Sequence, residues 1–140
     1  MYELIYISTA TKRMDETALN KLLLDARDNN SENNITGMLV YSDREFIQLL
    51  EGNKENVLFI FDKIKSDSRH SGIKVFHEGD IESRSFIDWS MAYRGISKDD
   101  KLCNIPGLEK WKSGELPLNL IVKSPNTGKE LFLCLREDLE

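Results

Sequence analysis

Residues that usually build redox, metal or nucleotide sites are scarce in this chain of 140 residues. The two cysteines, Cys103 and Cys134, form no CxxC motif and are too few for the disulfide framework of a small secreted domain. The two histidines, His70 and His77, lack the carboxylate or cysteine spacing of a metal site. The sequence also contains no GxGxxG motif, Walker loop or nucleophile elbow. We therefore expect no metal and no enzymatic activity.

Long apolar runs and a surplus of basic residues are missing as well. Uninterrupted apolar stretches extend over only a few residues, far short of the roughly 20 that a membrane span needs. The formal net charge is −5 and the two signs are interspersed, so there is no basic footprint for nucleic acid. The N-terminus, MYELIYIST, has the pattern of a strand and not of a signal peptide. The composition predicts a cytoplasmic protein that binds neither membranes nor nucleic acid.

The apolar residues that are present follow the periods of short strands and amphipathic helices. We expect the N-caps of the first two helices at Asp15 and Asn53. The first helix should end in the Asn-rich loop 29–34, because Asn and Ser favour turns. The predicted strands cover residues 3–8, 35–41, 45–50, 73–77 and 89–93, and the two helical stripes contain Ala18, Leu19, Leu22, Leu23 and Ala26, and Val57, Ile60, Phe61 and Ile64.

This order of elements, β-α-β-β-α-β and one additional strand, predicts an α+β fold of the ferredoxin-like type. In such a fold an antiparallel sheet carries both helices on one face and leaves the other face open. Short helical pieces are predicted at residues 102–111 and 131–139, separated by Pro117, Pro125 and Gly128. We expect this C-terminal helical extension, residues 96–140, to cover the open face of a first domain formed by residues 1–95.

Two polar residues stand out inside the predicted strands. Gln48 shares a strand face with Phe46 and Leu50, and Tyr6 lies in the middle of the first strand. If that face is buried, the amide needs specific partners, because an unpaired buried amide costs about 1–3 kcal/mol. On these residues alone, a core glutamine and a core tyrosine bonded to nearby groups remain the simpler interpretation.

Other polar or large side chains lie at the ends of the predicted elements. Each has an ordinary structural explanation, as a helix cap, a solvated lysine, part of a polar loop or a core residue, and none points to a function alone. They are Asn29, Asn30, Lys63, the SDSRH segment at residues 66–70, Trp89 and Met91.

Four separated motifs agree with one another, however. They are LIYIS, NNITGMLVYSDREFIQLLEG, DKIKSDSRH and RSFIDWSM, and they lie in this order between Tyr2 and Tyr93. In order and spacing they closely resemble the BLUF family, blue-light sensors that use flavin, and Gln48 falls where that family has a glutamine. The resemblance implies a blue-light photoreceptor that binds FAD non-covalently.

The resemblance also implies where the cofactor lies. In such proteins the isoalloxazine ring stands between the two helices, against the sheet. By position, Leu22 and Ile64 match the aliphatic walls of this site, and Asn30, with Asn29 beside it, matches the asparagine that binds the C4 carbonyl and N3 edge of the ring. The positions that match the ribityl and phosphate side are Lys63, Asp67, Arg69 and His70.

The photochemistry of the family carries over by position in the same way. Tyr6 matches the residue that gives an electron and then a proton to the light-excited flavin, and Gln48 matches the amide between them. After recombination, the glutamine is left in a changed orientation or tautomer, with a new hydrogen bond to the flavin. Trp89 and Met91 match the residues that relay the signal, and the predicted strand 89–93 puts both on one face.

One residue departs from the family pattern. The second helix often has an arginine where this chain has Lys63, which offers a point charge without a bidentate fork. We therefore expect FMN or riboflavin to be accepted besides FAD. Because the residues after Arg94 match no known effector domain, we expect a stand-alone photoreceptor that signals through a partner protein or its own oligomeric state. The alternatives are a flavin-binding regulatory module without a light response and a small hydrolase.

Overall fold

A computed structural model describes residues 1–95 and 125–136 of the chain. Within these two ranges the chain forms five strands and three helices. The strands are β1 (Tyr2–Ala10), β2 (Thr36–Ser42), β3 (Glu45–Gly52), β4 (His70–Asp80) and β5 (Ala92–Gly95), and the helices are α1 (Glu16–Glu32), α2 (Lys54–Lys65) and α3 (Pro125–Arg136).

The strands form one sheet in the order β4-β1-β3-β2-β5. The first four pair antiparallel in the ferredoxin-like order, which confirms the predicted α+β fold with an additional strand. β5 pairs with β2 in parallel, so the prediction of a fully antiparallel sheet is wrong at this edge. The connection explains the difference: β4 and β5 lie at opposite edges, and residues 81–91 return across the sheet before β5 begins.

Helices α1 and α2 cover one side of the sheet, the α1/α2 face. Both begin at the expected caps, since the Asp15 carboxylate accepts a hydrogen bond from the Ala18 amide at 2.8 Å and the Asn53 side chain accepts one from the Glu55 amide at 3.0 Å. The apolar stripes of the two helices therefore pack where the sequence places them. The buried cluster on this face contains Leu4, Tyr6, Leu23, Leu39, Phe46, Leu50, Val57, Ile60 and Phe61.

Helix α3 covers the opposite side of the sheet, the α3 face. Leu131, Phe132 and Leu135 are buried there, and burial of each such side chain stabilises the fold by about 1.5–3 kcal/mol. Covering of the open face is thus confirmed for residues 125–136, while the predicted helix at 102–111 lies outside the described residues. The division into domains 1–95 and 96–140 stays a prediction. The same buried cluster contains Ile5, Met38, Val40, Ile47, Leu49, Phe86 and Ala92.

A buried carboxylate on β1 ties α3 to the sheet. Glu3 is 4% exposed and pairs with Lys129 of α3, and it also bonds to His77 of β4 at 3.1 Å. Further along α3, Arg136 donates a hydrogen bond to the Ser85 carbonyl at 3.1 Å. A buried charge that loses its partner is costly, so these contacts favour one position of α3 on the sheet.

One predicted helix end is confirmed and one predicted helix start is wrong. α1 ends at Glu32, within the predicted range 29–34, and Asn29 and Asn30 lie in its last turns. α3 begins at Pro125 and not at residue 131, so Pro125 and Gly128 lie within the helix that they were predicted to precede. Proline is tolerated at the first helical position, because the amide hydrogen that it lacks would have no partner there. Within the described ranges, no helix is long and apolar enough to cross a membrane.

Two predicted strand boundaries also differ from the structure. β4 begins at His70, so this residue lies on a strand and not in a polar loop. β5 begins only at Ala92, so Trp89 and Met91 precede the strand in which they were predicted. Hydrogen bonds from β2 and α1 to the carbonyls of residues 89–91 replace the expected strand pairing there.

Removal of residues 125–140 tests the role of α3. The truncated protein should expose the apolar α3 face and therefore aggregate or bind a hydrophobic dye, while the α1/α2 face keeps its structure and takes up flavin. Size-exclusion chromatography, dye fluorescence and flavin absorbance measure these properties. A truncated protein that stays monomeric and dye-free but loses its flavin would contradict this division between the two faces.

Candidate functional site

A cleft opens on the α1/α2 face, between the two helices and above the strands. The space between its lining residues is about 640 Å³, which includes solvent space at the open mouth. The structure brings all ten predicted cofactor residues to this cleft, and their roles toward a cofactor stay predictions. The lining consists of Tyr6, Leu22, Asp25, Ala26, Asn29, Asn30, Leu39, Phe46, Gln48, Ile60, Lys63, Ile64, Asp67, Arg69 and His70.

Tyr6 and Gln48 meet on the floor of the cleft. The antiparallel register of β1 and β3 places them directly opposite each other, so their side chains extend from the same face. The Tyr6 hydroxyl donates a hydrogen bond to Gln48 Oε1. Both residues are buried, at 3% and 4% exposure, and each satisfies a polar group of the other. The expectation that a buried Gln48 has specific partners is confirmed.

Burial keeps the phenol of Tyr6 protonated. Loss of contact with water raises the pKa of Tyr6 far above its ordinary value, and the negative charge of Asp67 raises it further. The ring packs against Phe61, with 5.4 Å between the ring centroids. Tyr6 is therefore a neutral hydrogen-bond donor throughout the physiological pH range.

The other contact of the Gln48 amide is Met91. Gln48 Nε2 donates to Met91 Sδ at 3.3 Å, and a thioether sulfur is a weak acceptor. Met91 is 1% exposed, whereas Trp89 is 37% exposed and does not border the cleft. The prediction that both side chains share one strand face is wrong, because both residues precede β5. Of the two, Met91 is the residue that contacts Gln48.

The backbone around Met91 is bonded to two other elements. The carbonyls of residues 89–91 each accept one hydrogen bond, from β2 or from α1. One donor is the side chain of Asn30, which is 1% exposed and also borders the cleft. A displacement of this segment therefore disturbs both α1 and β2. The donors are Gly37 N at 3.1 Å, Asn30 Nδ2 at 2.7 Å and Arg27 Nε at 3.0 Å.

The two helices present aligned faces to the cleft. Their lining residues recur at intervals of three and four, the spacing of a single helix face. Sequence reasoning missed Asp25 and Ala26, although this spacing, extended from Leu22, identifies both as neighbours of the site. It missed Ile60 in the same way on α2. Leu39 and Phe46 were also missed; both lie near Gln48, one opposite it on β2 and one two residues away on β3.

Charged residues line the exposed end of the cleft. Arg69 lies between two carboxylates, with its Nη2 2.6 Å from Asp67 Oδ2 and its Nη1 3.2 Å from Asp25 Oδ2. Hydrogen bonds from Arg69 lower the pKa of Asp67, and the same bonds raise the pKa of Arg69. Lys63 Nζ lies over the ring of Phe59, 4.9 Å from its centroid.

His70 connects the start of β4 to the end of α2. Its Nε2 lies 2.6 Å from the Ile64 carbonyl and its Nδ1 2.8 Å from the Ser8 hydroxyl. Nε2 must donate, because a carbonyl only accepts, and in a neutral ring Nδ1 then accepts from Ser8. Both ring nitrogens are therefore engaged within the protein. Direct polar contact of His70 with a ribityl chain stays a prediction.

The cleft suits a planar heteroaromatic ring with a polar tail. Leu22 and Ile64 supply aliphatic walls from two different helices, and Asn30 and Gln48 supply buried amides that match the donors and acceptors of a ring edge. Lys63 is among the cations available to a tail at the exposed end. A metal is not indicated, since the described ranges contain no group of His, Cys, Asp and Glu that could hold one.

Fold and cleft together define a ferredoxin-like domain with a site for a flavin-type ring. The family described as BLUF, sensors of blue-light using FAD, matches residues 1–92. The chain belongs to the BLUF family. BLUF domains are flavin-binding blue-light sensors, and this match confirms the resemblance, the function and the FAD cofactor predicted from the sequence.

The relatives of the chain are light-responsive proteins. It is 31% identical over 107 residues to the photoactivated adenylate cyclase subunit beta of Euglena longa, a match that covers 76% of this chain. It resembles the solved structure of BlsA in the ground state with a TM-score of 0.71 and 31% identity, covering 94% of this chain and 87% of BlsA. The dark-state structure of BlrB, a BLUF protein, has a TM-score of 0.74 and 23% identity, covering 98% of this chain and 96% of BlrB, and supports the fold.

Some of these relatives are much longer than this chain. The chain spans 12% of the length of the Euglena longa cyclase subunit. It matches 25% of Klebsiella pneumoniae BlrP1, a structure described with FMN and cyclic diGMP, at 29% identity over 67% of this chain, with a TM-score of 0.62. What is shared with these long relatives is therefore the photosensory part.

A buried carboxyl group on the α3 face holds the segment that leads to Met91. Glu51 is 0% exposed and accepts hydrogen bonds from the backbone amides of Ser85 and Phe86, both at 2.8 Å. It also accepts one from the Thr36 hydroxyl at 2.7 Å. No motif or period in the sequence indicated this role, because the partners are backbone groups distant along the chain.

Glu51→Gln should destabilise the protein although it hardly changes the side-chain volume. The amide nitrogen cannot accept, so at least one of the three donors loses its partner, at a cost of about 1–3 kcal/mol. Chemical denaturation measures the free energy of unfolding. The matched control is Glu45→Gln on the same strand, whose carboxylate bonds to Thr9 at 3.1 Å and is only partly buried; its cost should be about 0.5 kcal/mol or less. Equal effects of the two substitutions would contradict the role given to Glu51.

Proposed function

We propose that this chain senses blue light through FAD, with Tyr6 as the electron and proton donor and Gln48 as the amide that changes its hydrogen bonds. One observation carries the proposal. On the buried floor of the cleft, the Tyr6 hydroxyl donates to Gln48 Oε1 while Gln48 Nε2 donates to Met91 Sδ. The amide therefore connects the oxidisable phenol with the segment that leads away from the cleft.

The lining residues divide the binding of the cofactor between them in this proposal. Leu22 and Ile64 flank the ring, and Asn29, Asn30 and Gln48 bind its polar edge. When bound, the flavin absorbs blue light and, once excited, is a strong electron acceptor. The ribityl and phosphate groups occupy the side of the cleft that is bordered by Lys63, Asp67, Arg69 and His70.

The surroundings of Tyr6 allow it to lose an electron and a proton together. Its phenol is neutral before illumination, because burial disfavours the phenolate. A phenol that loses an electron becomes strongly acidic, and the group already hydrogen-bonded to its proton is Gln48 Oε1. Electron loss at Tyr6 therefore acts first on the amide of Gln48.

Gln48 is the group whose hydrogen bonds can change at low cost. The bond to its oxygen depends on the Tyr6 proton, and the acceptor of its nitrogen is a thioether. When the phenol no longer donates, little holds the amide in its original orientation. A rotated or tautomeric amide then offers a different set of donors and acceptors to the cleft.

The output passes, in this proposal, from Met91 through residues 81–91 to α3. The Ser85 carbonyl accepts a hydrogen bond from Arg136 of α3, and Phe86 packs in the same buried cluster as α3. We propose that the chain itself is not an enzyme and signals in the cytoplasm, through a partner protein in trans or through its own oligomeric state. The photoactivated cyclases among its relatives support a signalling role.

Tyr6→Phe and Gln48→Leu should each bind flavin and lose the reversible red shift of its absorption. The first substitution removes the donor and the second removes the switching amide. Each also leaves a buried partner unpaired, at a cost of about 1–3 kcal/mol, whereas the double variant removes both partners and should cost less than the sum. Difference spectra of flavin-loaded protein before and after blue light measure the shift.

Asn30→Ala is the control for binding, because it removes a lining amide and leaves the Tyr6–Gln48 pair. It should weaken flavin retention and keep the shift in the fraction that still holds flavin. A normal reversible shift in Gln48→Leu would show that the amide is only a core residue. Flavin-loaded wild-type protein without any shift would favour the alternative of a regulatory module that does not respond to light.

Met91→Ala should separate detection from output. It removes the thioether next to Gln48 but leaves Tyr6 and Gln48 in place, so the red shift should remain. The light-dependent change in the conformation of residues 81–91 and α3 should weaken. Limited proteolysis in the light and in the dark measures that change. The matched control is Trp89→Ala, because Trp89 is exposed and does not border the cleft, and it should behave like the wild type. Unchanged light-dependent proteolysis in Met91→Ala would rule out a relay through this residue.

A further inference from the structure

The formal charges that line the cleft cancel. Lys63 and Arg69 contribute two positive charges, and Asp25 and Asp67 contribute two negative charges. Sites for phosphate groups normally offer Arg or Lys side chains, or the backbone amides of a helix N-terminus, that are free to bind the anion. The phosphate of FMN or the diphosphate of FAD would instead meet a cleft whose cations are balanced by carboxylates.

Arg69 is the more strongly engaged of the two cations. Its Nε and Nη2 bond to Asp67, at distances from 2.6 to 3.0 Å, and its Nη1 bonds to Asp25 at 3.2 Å. Both nitrogens at the tip of the guanidinium thus already have a carboxylate partner. A bidentate contact of this guanidinium with phosphate would compete with these ion pairs.

The two carboxylates differ in how firmly they are fixed. Asp67 belongs to the same turn as Arg69 and also accepts a hydrogen bond from the Arg69 amide at 2.9 Å. Asp25 comes from α1, on the other side of the cleft, and its side chain is 49% exposed. Asp25 can therefore be changed without disturbing the turn, and its charge decides whether Nη1 of Arg69 is available.

We propose that Asp25 sets the flavin specificity of the cleft by withholding Arg69 from the phosphate groups of the ligand. Riboflavin, FMN and FAD share the ring and the ribityl chain and differ in phosphate, so the wild-type cleft binds all three with similar affinity. Asp25 therefore weakens the preference for flavins that carry phosphate, in addition to the effect expected from Lys63. The inference rests on the proposed flavin site.

Asp25→Asn tests the proposal, because it keeps the size of the side chain and removes its charge. Titration of flavin-free protein, followed by quenching of flavin fluorescence, gives the dissociation constants of riboflavin, FMN and FAD. We expect Asp25→Asn to bind FMN and FAD about threefold to tenfold more tightly and riboflavin as before. The gain should disappear in about 1 M salt, where the Debye length falls to roughly 3 Å.

The matched control is Asp28→Asn. Asp28 lies on the same helix, is exposed and does not border the cleft, so its substitution changes the net charge equally without reaching the ligand. Equal effects of Asp25→Asn and Asp28→Asn would overturn the proposal, as would an equal change for all three flavins, which would mean that Asp25 acts on the ring or the ribityl chain. A wild-type preference of more than about tenfold for FAD over riboflavin would overturn it too. Failure of the wild type to bind any of the three would instead refute the proposed flavin site.

Discussion

The antiparallel register of β1 against β3 is the constraint on which both faces of the sheet depend. It places Tyr6 opposite Gln48 on the α1/α2 face and Glu3 opposite Glu51 on the α3 face. A slip of β1 by one residue would move Tyr6 and Glu3 to the opposite faces of the sheet, away from Gln48 and Glu51. The same register therefore forms the floor of the cleft and positions two buried carboxyl groups. Glu3 pairs with Lys129 of α3, and Glu51 accepts hydrogen bonds from the backbone amides of Ser85 and Phe86.

The buried residues have different roles on the two faces of the sheet. On the α3 face, apolar side chains of the sheet pack directly against α3, and the carboxyl groups of Glu3 and Glu51 are bonded to donors. On the α1/α2 face, the helices leave a cleft between them, and buried polar groups border it. Residues 81–91 belong to both faces, because Phe86 packs in the cluster of α3 whereas Met91 contacts Gln48. This segment is the physical connection between the cleft and α3.

Local features were predictable from the sequence, and features set by distant partners were not. The caps Asp15 and Asn53 and the first four strands follow from residue type and period, with errors of a few residues at their ends. The alternation that predicted a strand at residues 89–93 is coincidental. That backbone is held by Asn30, Arg27 and Gly37, which are distant in sequence and leave no local pattern. The ten predicted cleft residues were supplied by the BLUF resemblance, whereas Asp25 required the helical spacing of α1 as well.

The strengths of the hydrogen bonds around Gln48 determine where a change can begin. The carbonyls of residues 89–91 accept from amide and guanidinium groups, so moving that backbone breaks three ordinary bonds. Rotating the Gln48 amide breaks one bond to a phenol and one weak contact with sulfur. The side chain therefore rearranges at lower cost than the backbone, and the phenol proton controls the stronger of its two bonds. Any displacement of the segment must follow from the new contacts that the rearranged amide makes with Met91.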